Sequence, residues 1–136
     1  CWDHFVGLFK FPNDTLISFS SKQYGKGFDD ILCRMYGAEG TIDTHYGGPV
    51  NIKGEKPYEG GETKGIYGEG AIANIATFHD SIQKGDFSNP TVAPSVRSNL
   101  TTILGRTAAY QGREVTWDEM MKTGEKLDGK LEGLKS

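Results

Sequence analysis

The apolar residues of this chain follow two different periods, and the period changes near the middle. From Asp3 to Phe11 (DHFVGLFKF) the sequence is rich in Phe and Val. After the turn signal Pro12-Asn13-Asp14, Thr15 to Gln23 alternates Leu16, Ser18 and Ser20 with Ile17, Phe19 and Ser21. Two such runs around a short polar turn predict a β-hairpin. Beyond the flexible Gly25-Lys26-Gly27, Ile31 to Tyr36 leads through Gly37-Ala38-Glu39-Gly40 into Thr41 to Tyr46. This is a second hairpin, whose loop supplies glycines for positive φ. Short connections join antiparallel neighbours, so the pattern predicts an antiparallel meander, with Val50 to Lys53 as a candidate fifth strand. Gly47 to Gly70, rich in glycine and holding Pro49 and Pro57, reads as loop.

In the second half the spacing becomes helical. Between Gly70 and Lys84, Ala71, Ile75, Phe78 and Ile82 fall at steps of four, three and four, with Asp80 and Lys84 paired on another face and Gly85 as a stop. Between Pro94 and Tyr110, Val96, Leu100, Ile103, Leu104 and Thr107 form a second stripe, and Gly112 lies just beyond the C-terminus. Gly105 inside that stripe costs about 1 kcal/mol of helix propensity, which predicts a close approach to another element. A third helix is announced by Thr116 as N-cap, Glu119 three residues on, and Val115 with Met120 as a hydrophobic staple. The Glu/Lys/Gly-rich tail beyond Gly124 is expected to fray or to pack elsewhere.

Strands followed by helices, without β-α-β alternation, predict one α+β domain over residues 1–136: an antiparallel sheet of four to five or more strands with helices packed on one face. Trp2, Phe5, Phe9, Phe11, Phe19, Tyr24, Tyr36 and Tyr46 are more large side chains than one helix-covered layer needs. A homo-oligomer through the open sheet face is therefore expected.

Composition narrows the function. Fifteen Lys and Arg against 18 Asp and Glu give a net charge of −3, and no basic cluster tracks a phosphate backbone, which argues against nucleic acid as a partner. No apolar stretch approaches a membrane span of roughly 18 residues. Cys1 and Cys33, with His4, His45 and His79, make no metal-ligand spacing. A Cys1–Cys33 disulfide stays open, and the compartment stays open between cytoplasm and periplasm. The chain starts at Cys1 without an initiator Met and already in strand-like sequence, which reads as a piece of a longer protein. A secreted lipoprotein would carry a polar tether after such a cysteine.

Gly65-Ile66-Tyr67-Gly68-Glu69-Gly70 precedes a helix, but its spacing is not that of a dinucleotide fingerprint and no β-α-β strand feeds it. No Ser/His/Asp order, nucleophile elbow or carboxylate pair is present, so no catalytic residue is assigned. The candidate substrate-binding residues are polar groups near strand ends. Lys22, Gln23 and Tyr24 close a strand before a glycine loop, and Arg34 and His45 lie on adjacent strands, where they can converge on hydroxyls or a carboxylate. His79 sits beside an apolar stripe, either packed and hydrogen-bonded or at a pocket's edge.

The run Ile103-Leu104-Gly105-Arg106-Thr107-Ala108-Ala109-Tyr110-Gln111-Gly112-Arg113-Glu114-Val115-Thr116-Trp117-Asp118-Glu119 resembles the closing signature of bacterial Gfo/Idh/MocA-family oxidoreductases. There a long helix ends in a Gly turn and a capped "Val-Thr-Trp-Asp" helix follows. Phe78 to Gly85 is similar to the family's "Asp-Ser-Ile-Arg-Asn-Gly" helix end, Tyr36 to Thr41 to its "Gly-Thr-Lys-Gly" hairpin, and Asp3-His4-Phe5 to the "Asp-His-Phe" that opens its C-terminal sheet. The resemblance implies the C-terminal α+β domain of an enzyme whose N-terminal Rossmann domain binds NAD or NADP. In that family the sheet shapes a sugar or cyclitol pocket and commonly mediates oligomerisation. The fingerprint loop and the helix carrying the family's catalytic Asp-x-x-x-His are missing from this chain, so no cofactor is expected to bind to it alone. Glu55-Lys56-Pro57 matches the family's lysine tripeptide in letters but not in structural context. Two alternatives remain: a non-catalytic binding or interaction module, and a secreted glycan-binding fragment.

Overall fold

The computed structural model describes residues 3–62, 65–124, 126 and 128–133. The fold is α+β: β1 (His4–Lys10), β2 (Leu16–Lys22), β3 (Leu32–Tyr36), β4 (Gly40–His45), β5 (Pro49–Gly54) and β6 (Tyr58–Glu62) precede α1 (Gly68–Lys84), α2 (Val92–Gln111) and α3 (Trp117–Thr123). All pairings are antiparallel and sequential, in a two-stranded ladder β1-β2 and a four-stranded ladder β3-β4-β5-β6. Contacts group the chain into two units, Cys1–Gly25 with Asn89–Ser136, and Lys26–Ser88. Cys1 and Trp2, invoked above for a disulfide and for the aromatic face, lie outside the described residues, and Cys33 is an exposed free thiol on β3.

In the first unit the alternation of β1 leaves Phe5, Gly7 and Phe9 half-buried and His4, Val6, Leu8 and Lys10 exposed. Register sets Gly7 opposite Phe19 and Phe9 opposite Ile17, so one face of the hairpin carries its aromatics. Helix α2 packs on that face at Gly105, where an added Cβ would stand 2.6 Å from Phe9 Cζ. The glycine therefore serves a close helix-to-strand approach. Gly112, at φ 63, ends α2 with its N–H and that of Arg113 closing on Ala109 and Ala108 carbonyls. Thr116 Oγ1 then accepts from the Glu119 N–H at 3.2 Å and starts α3. The Glu119 carboxylate is held by the guanidinium of Arg113 through both oxygens and is also bonded by the backbone of Thr116, the reciprocal half of a capping box. Val115, 8% exposed, is the one buried apolar residue among those described. It lines a 240 Å³ cleft with Leu100, Ile103, Met120 and Met121.

In the second unit the meander is longer than the sequence indicates. β5 includes the expected fifth strand, and β6 lies where loop was predicted. Its sequence YEGGE has one strong strand former, Tyr58, yet it pairs with β5 as the edge of the ladder, with a register irregularity between Pro49 and Asn51. Edge position and a hairpin turn offset the poor propensity of its glycines. Gly54, at φ 152, lies so close to the β3-β4 turn that a Cβ would stand 2.2 Å from the Glu39 carbonyl oxygen. Only glycine fits there. Helix α1 ends at Gly85 as expected, and its stripe of Ile72, Ile75, Phe78 and Ile82 is 57–70% exposed.

Candidate functional site

Side-chain alternation gives the β3-β6 sheet two chemically different faces. Register pairs Arg34 with Asp43, Asp43 with Asn51, and Asn51 with Glu59, one residue from each strand in a single row. Residues two positions away share the face, so Tyr36, Thr41 and Lys53 form the next row and Leu32 and His45 the one on the other side. Met35, Ile42, Val50, Ile52 and Tyr58 fall on the opposite side.

Asp43 is the hub of the polar face. Arg34 Nη2 donates to its Oδ2 at 2.7 Å, and His45 Nε2 lies 3.4 Å from its Oδ1. His45 Nδ1 is in turn 3.2 Å from Asp30 Oδ1, in the segment leading into β3. The carboxyl of Asp43 is held below the usual carboxylate range, first by the hydrogen bond from Arg34, while Arg34 is raised by Asp43 and, secondarily, Tyr36. His45 thus lies between two carboxylates, one at each ring nitrogen. Asn51 Oδ1 is buried without a hydrogen-bond partner, whereas Asp43 Oδ1 has the contact to His45 Nε2. Asn51 Oδ1 is thus an acceptor in the row that a hydroxyl group can satisfy. Over β5 and β6 lies an open 370 Å³ cleft lined by residues of both faces, Asn51, Lys53 and Glu59 from the row's side and Val50, Ile52 and Tyr58 from the other.

At the end of β4, Tyr46 meets Tyr67, which precedes α1, edge to face with ring centroids 6.1 Å apart and planes at 70°. The phenol of Tyr46 is raised above its ordinary value by its hydrogen bond to Tyr67 and by partial burial.

Of the residues singled out from sequence, Arg34 and His45 come together, through Asp43. Lys22, Gln23 and Tyr24 belong to the other unit, where Lys22 ends β2 opposite His4, the Gln23 N–H donates to the Asp3 carbonyl at 2.8 Å, and Tyr24 is 78% exposed. His79 is exposed on α1 and forms no hydrogen bond or ion pair with the Arg34–Asp43–His45 set. Sequence reasoning missed Asp43, Asn51, Glu59 and Asp30. The alternation along β4 carried the signal for Asp43, since it sets Thr41, Asp43 and His45 on one face.

Among the described residues no group of three or more His, Cys, Asp or Glu is arranged to hold a metal ion. At the glycine-rich start of α1, an added Cβ on Gly65 would meet the Glu69 carboxylate at 2.8 Å. An acidic group thus already occupies the helix N-terminus where a pyrophosphate would need positive potential. No described helix is long and apolar enough to cross a membrane. Compared with known proteins, the chain matches no family model, no curated protein and no solved structure.

Proposed function

We propose that this chain is the substrate-binding and oligomer-forming domain of a Gfo/Idh/MocA-like oxidoreductase, and that the polar face of β3-β6 receives a sugar or cyclitol. The observation that carries the reading is the Arg34–Asp43–Asn51–Glu59 row with His45 beside it. Such a row combines directional donors and acceptors at strand spacing, of about 4.8 Å, close to the reach between hydroxyls of one ring. Its mixed charges suit a neutral polyol better than a strongly charged ligand. In this reading NAD or NADP is bound by a Rossmann domain of the parent protein, and the residues of this chain bind and orient the substrate. Hydride chemistry would come from that other domain. The exposed Val6, Leu8 and Leu16 on the side of β1-β2 away from Phe9 would join two copies.

The full-length protein should bind myo-inositol or glucose saturably, and Arg34→Ala should weaken that binding at least tenfold, roughly the loss expected for a charge-assisted hydrogen bond. Binding by no sugar or cyclitol, or binding indifferent to Arg34, would refute the reading. A second reading, a non-catalytic interaction module, is favoured by one observation, the exposed apolar stripe of α1. It predicts no NAD(P)-dependent sugar oxidation by the full-length protein.

A further inference from the structure

The two edges of the β3-β6 sheet are protected unequally. An edge strand offers unpaired N–H and C=O groups to any strand that comes alongside, and folded proteins blunt it with charge, proline or a bulge, while glycine weakens it. At the β6 edge, YEGGE carries two glutamates and two glycines, with a register irregularity behind it between Pro49 and Asn51. β3, LCRMY, has a single charge, and Asp43 of its own sheet pairs with that Arg34 at 2.7 Å. All five residues of β3 are exposed, as is Ile31 before them. The ladder itself fixes which backbone groups are open. The Gly37 N–H donates to the Gly40 carbonyl and the Tyr46 N–H to the Ile31 carbonyl, both at 2.8 Å, so by alternation residues 31, 33, 35 and 37 bond to β4. Leu32, Arg34 and Tyr36 therefore turn N–H and C=O outward, where no described strand lies.

We infer that β3 pairs antiparallel with β3 of a second copy about a two-fold axis at Cys33, joining the two four-stranded ladders edge to edge. This contact is separate from the β1-β2 face and independent of the polyol reading. Outward-bonding residues must meet outward-bonding residues, so the axis falls on a residue and not between two. An axis at Arg34 would set the two guanidiniums directly opposite each other, which is destabilising. An axis at Leu32 would leave Met35 and Tyr36 facing residues that precede the strand. At Cys33 the axis sets Arg34 opposite Leu32 of the second copy, where the two exchange backbone hydrogen bonds, and Ile31 opposite Met35. Apolar face then continues apolar face, since Met35 already shares its side with Ile42 and Ile52. Strands this short cover less than the roughly 1,000 Å² of a stable interface, so the association is transient, with a Kd on the order of 1 mM. Cys33, an exposed free thiol, meets its own counterpart at a non-hydrogen-bonded position. There the Cα atoms of a pair lie about 4.5 Å apart, a separation that a disulfide spans.

The test uses the full-length protein carrying Leu8→Lys, which removes the β1-β2 contact, so that any pairing observed is that of the β3 edge. Diamide, which takes up the two protons and two electrons that a pair of thiols releases, should trap a disulfide-linked dimer that dithiothreitol reverses and Cys33→Ser prevents. In the linked dimer, amide hydrogen exchange followed by NMR should slow about tenfold or more at Leu32 and Arg34, whereas the amides of Cys33 and Met35, already bonded to β4, should change little. Leu32→Pro removes an outward N–H at the first residue of an edge strand, a position that accepts proline. It should slow the trapping about tenfold, for the two hydrogen bonds lost across the axis. In the Cys33→Ser background, a mixture of Ile31→Cys and Met35→Cys proteins should link to each other faster than either links to itself. A disulfide formed by chance collision of exposed thiols would leave the Leu32 and Arg34 amides unprotected and ignore Leu32→Pro, and that result overturns the pairing. Failure to trap a dimer through Cys33 overturns it as well, as does self-linking of the Ile31→Cys or Met35→Cys protein as fast as the mixture. Should Leu32→Pro not fold, amide protection and the mixed linking decide alone.

Discussion

Gly105→Ala is a one-carbon perturbation whose sign depends on packing. The backbone at Gly105 is helical, so alanine meets no conformational strain, and taken alone the change should stabilise α2 by about 1 kcal/mol. Against that, the new methyl would stand 2.6 Å from Phe9 Cζ and 3.0 Å from Cε1. Carbon atoms pack at about 3.5–4.0 Å, so either the ring must swing off the helix or α2 must lift from β1. Phe9 is an aromatic on a half-buried strand face and cannot yield by bending a flexible tip. Overpacking of this kind costs about 1–3 kcal/mol, which leaves a net loss near 1 kcal/mol once the propensity gain is subtracted.

A double-mutant cycle removes the uncertainty of that subtraction. With Phe9→Ala the obstructing ring is gone, and Gly105→Ala should then stabilise by about 1 kcal/mol. The coupling between the two sites is thus about 2 kcal/mol, within the range for residues in contact. Urea unfolding followed by far-ultraviolet circular dichroism measures all four proteins, and the decisive result is the reversal of sign between the two backgrounds. A Gly105→Ala protein as stable as wild type, or more so, with no dependence on residue 9, would mean that α2 does not lie against β1 at this point.

Three further expectations use the same unfolding and solution measurements. Thr116→Ala removes the acceptor of the Glu119 N–H and should cost about 1 kcal/mol; an unchanged denaturation midpoint would show that α3 is not capped there. Asp43 has its folded value lowered by Arg34, so its contribution is present above the unfolded carboxyl value and lost as pH falls through the lower folded one. Asp43→Asn should therefore flatten the acid side of the stability curve below about pH 4, and curves that stay parallel to wild type would contradict the pairing. Sedimentation at tens of micromolar should show concentration-dependent self-association that Leu8→Lys abolishes, and a monomer at every concentration would remove the oligomer proposal for this chain.

Local signals carried much of the architecture. Gly85, Gly112 and Thr116 end or start helices where the sequence sets them, because caps are decided by one residue's own backbone and hydrogen bonds. The role of Gly105 was legible as a cost needing compensation, though its partner, Phe9, lies far away in sequence. β6 was not legible: its pairing depends on β5 beside it, and no propensity within YEGGE announces a strand. The polar row shows the same limit. Arg34 and His45 were found as polar residues on neighbouring strands, while Asp43, which joins them, needed the register as well as the alternation. The glycine-rich start of α1 could be set aside on spacing, and the position of Glu69 beside Gly65 adds an electrostatic reason that spacing cannot supply.

The row across β3-β6 also makes the site depend on counting. Thr41, Asp43 and His45 share a face because they are alternate residues of β4, and their partners are set by the register. One residue inserted or deleted within β4 would turn Ile42 and Thr44 toward the row and carry Asp43 to the other side, although every side chain would still be present. Two residues would restore the facing but slide β4 by about 7 Å, bringing Thr41 or His45 opposite Arg34. Length changes that spare the site must therefore fall in the turns at 37–39 and 46–48. In this sheet the parity of a position acts as a reading frame, and a frameshift of one residue erases the site as completely as replacing its side chains.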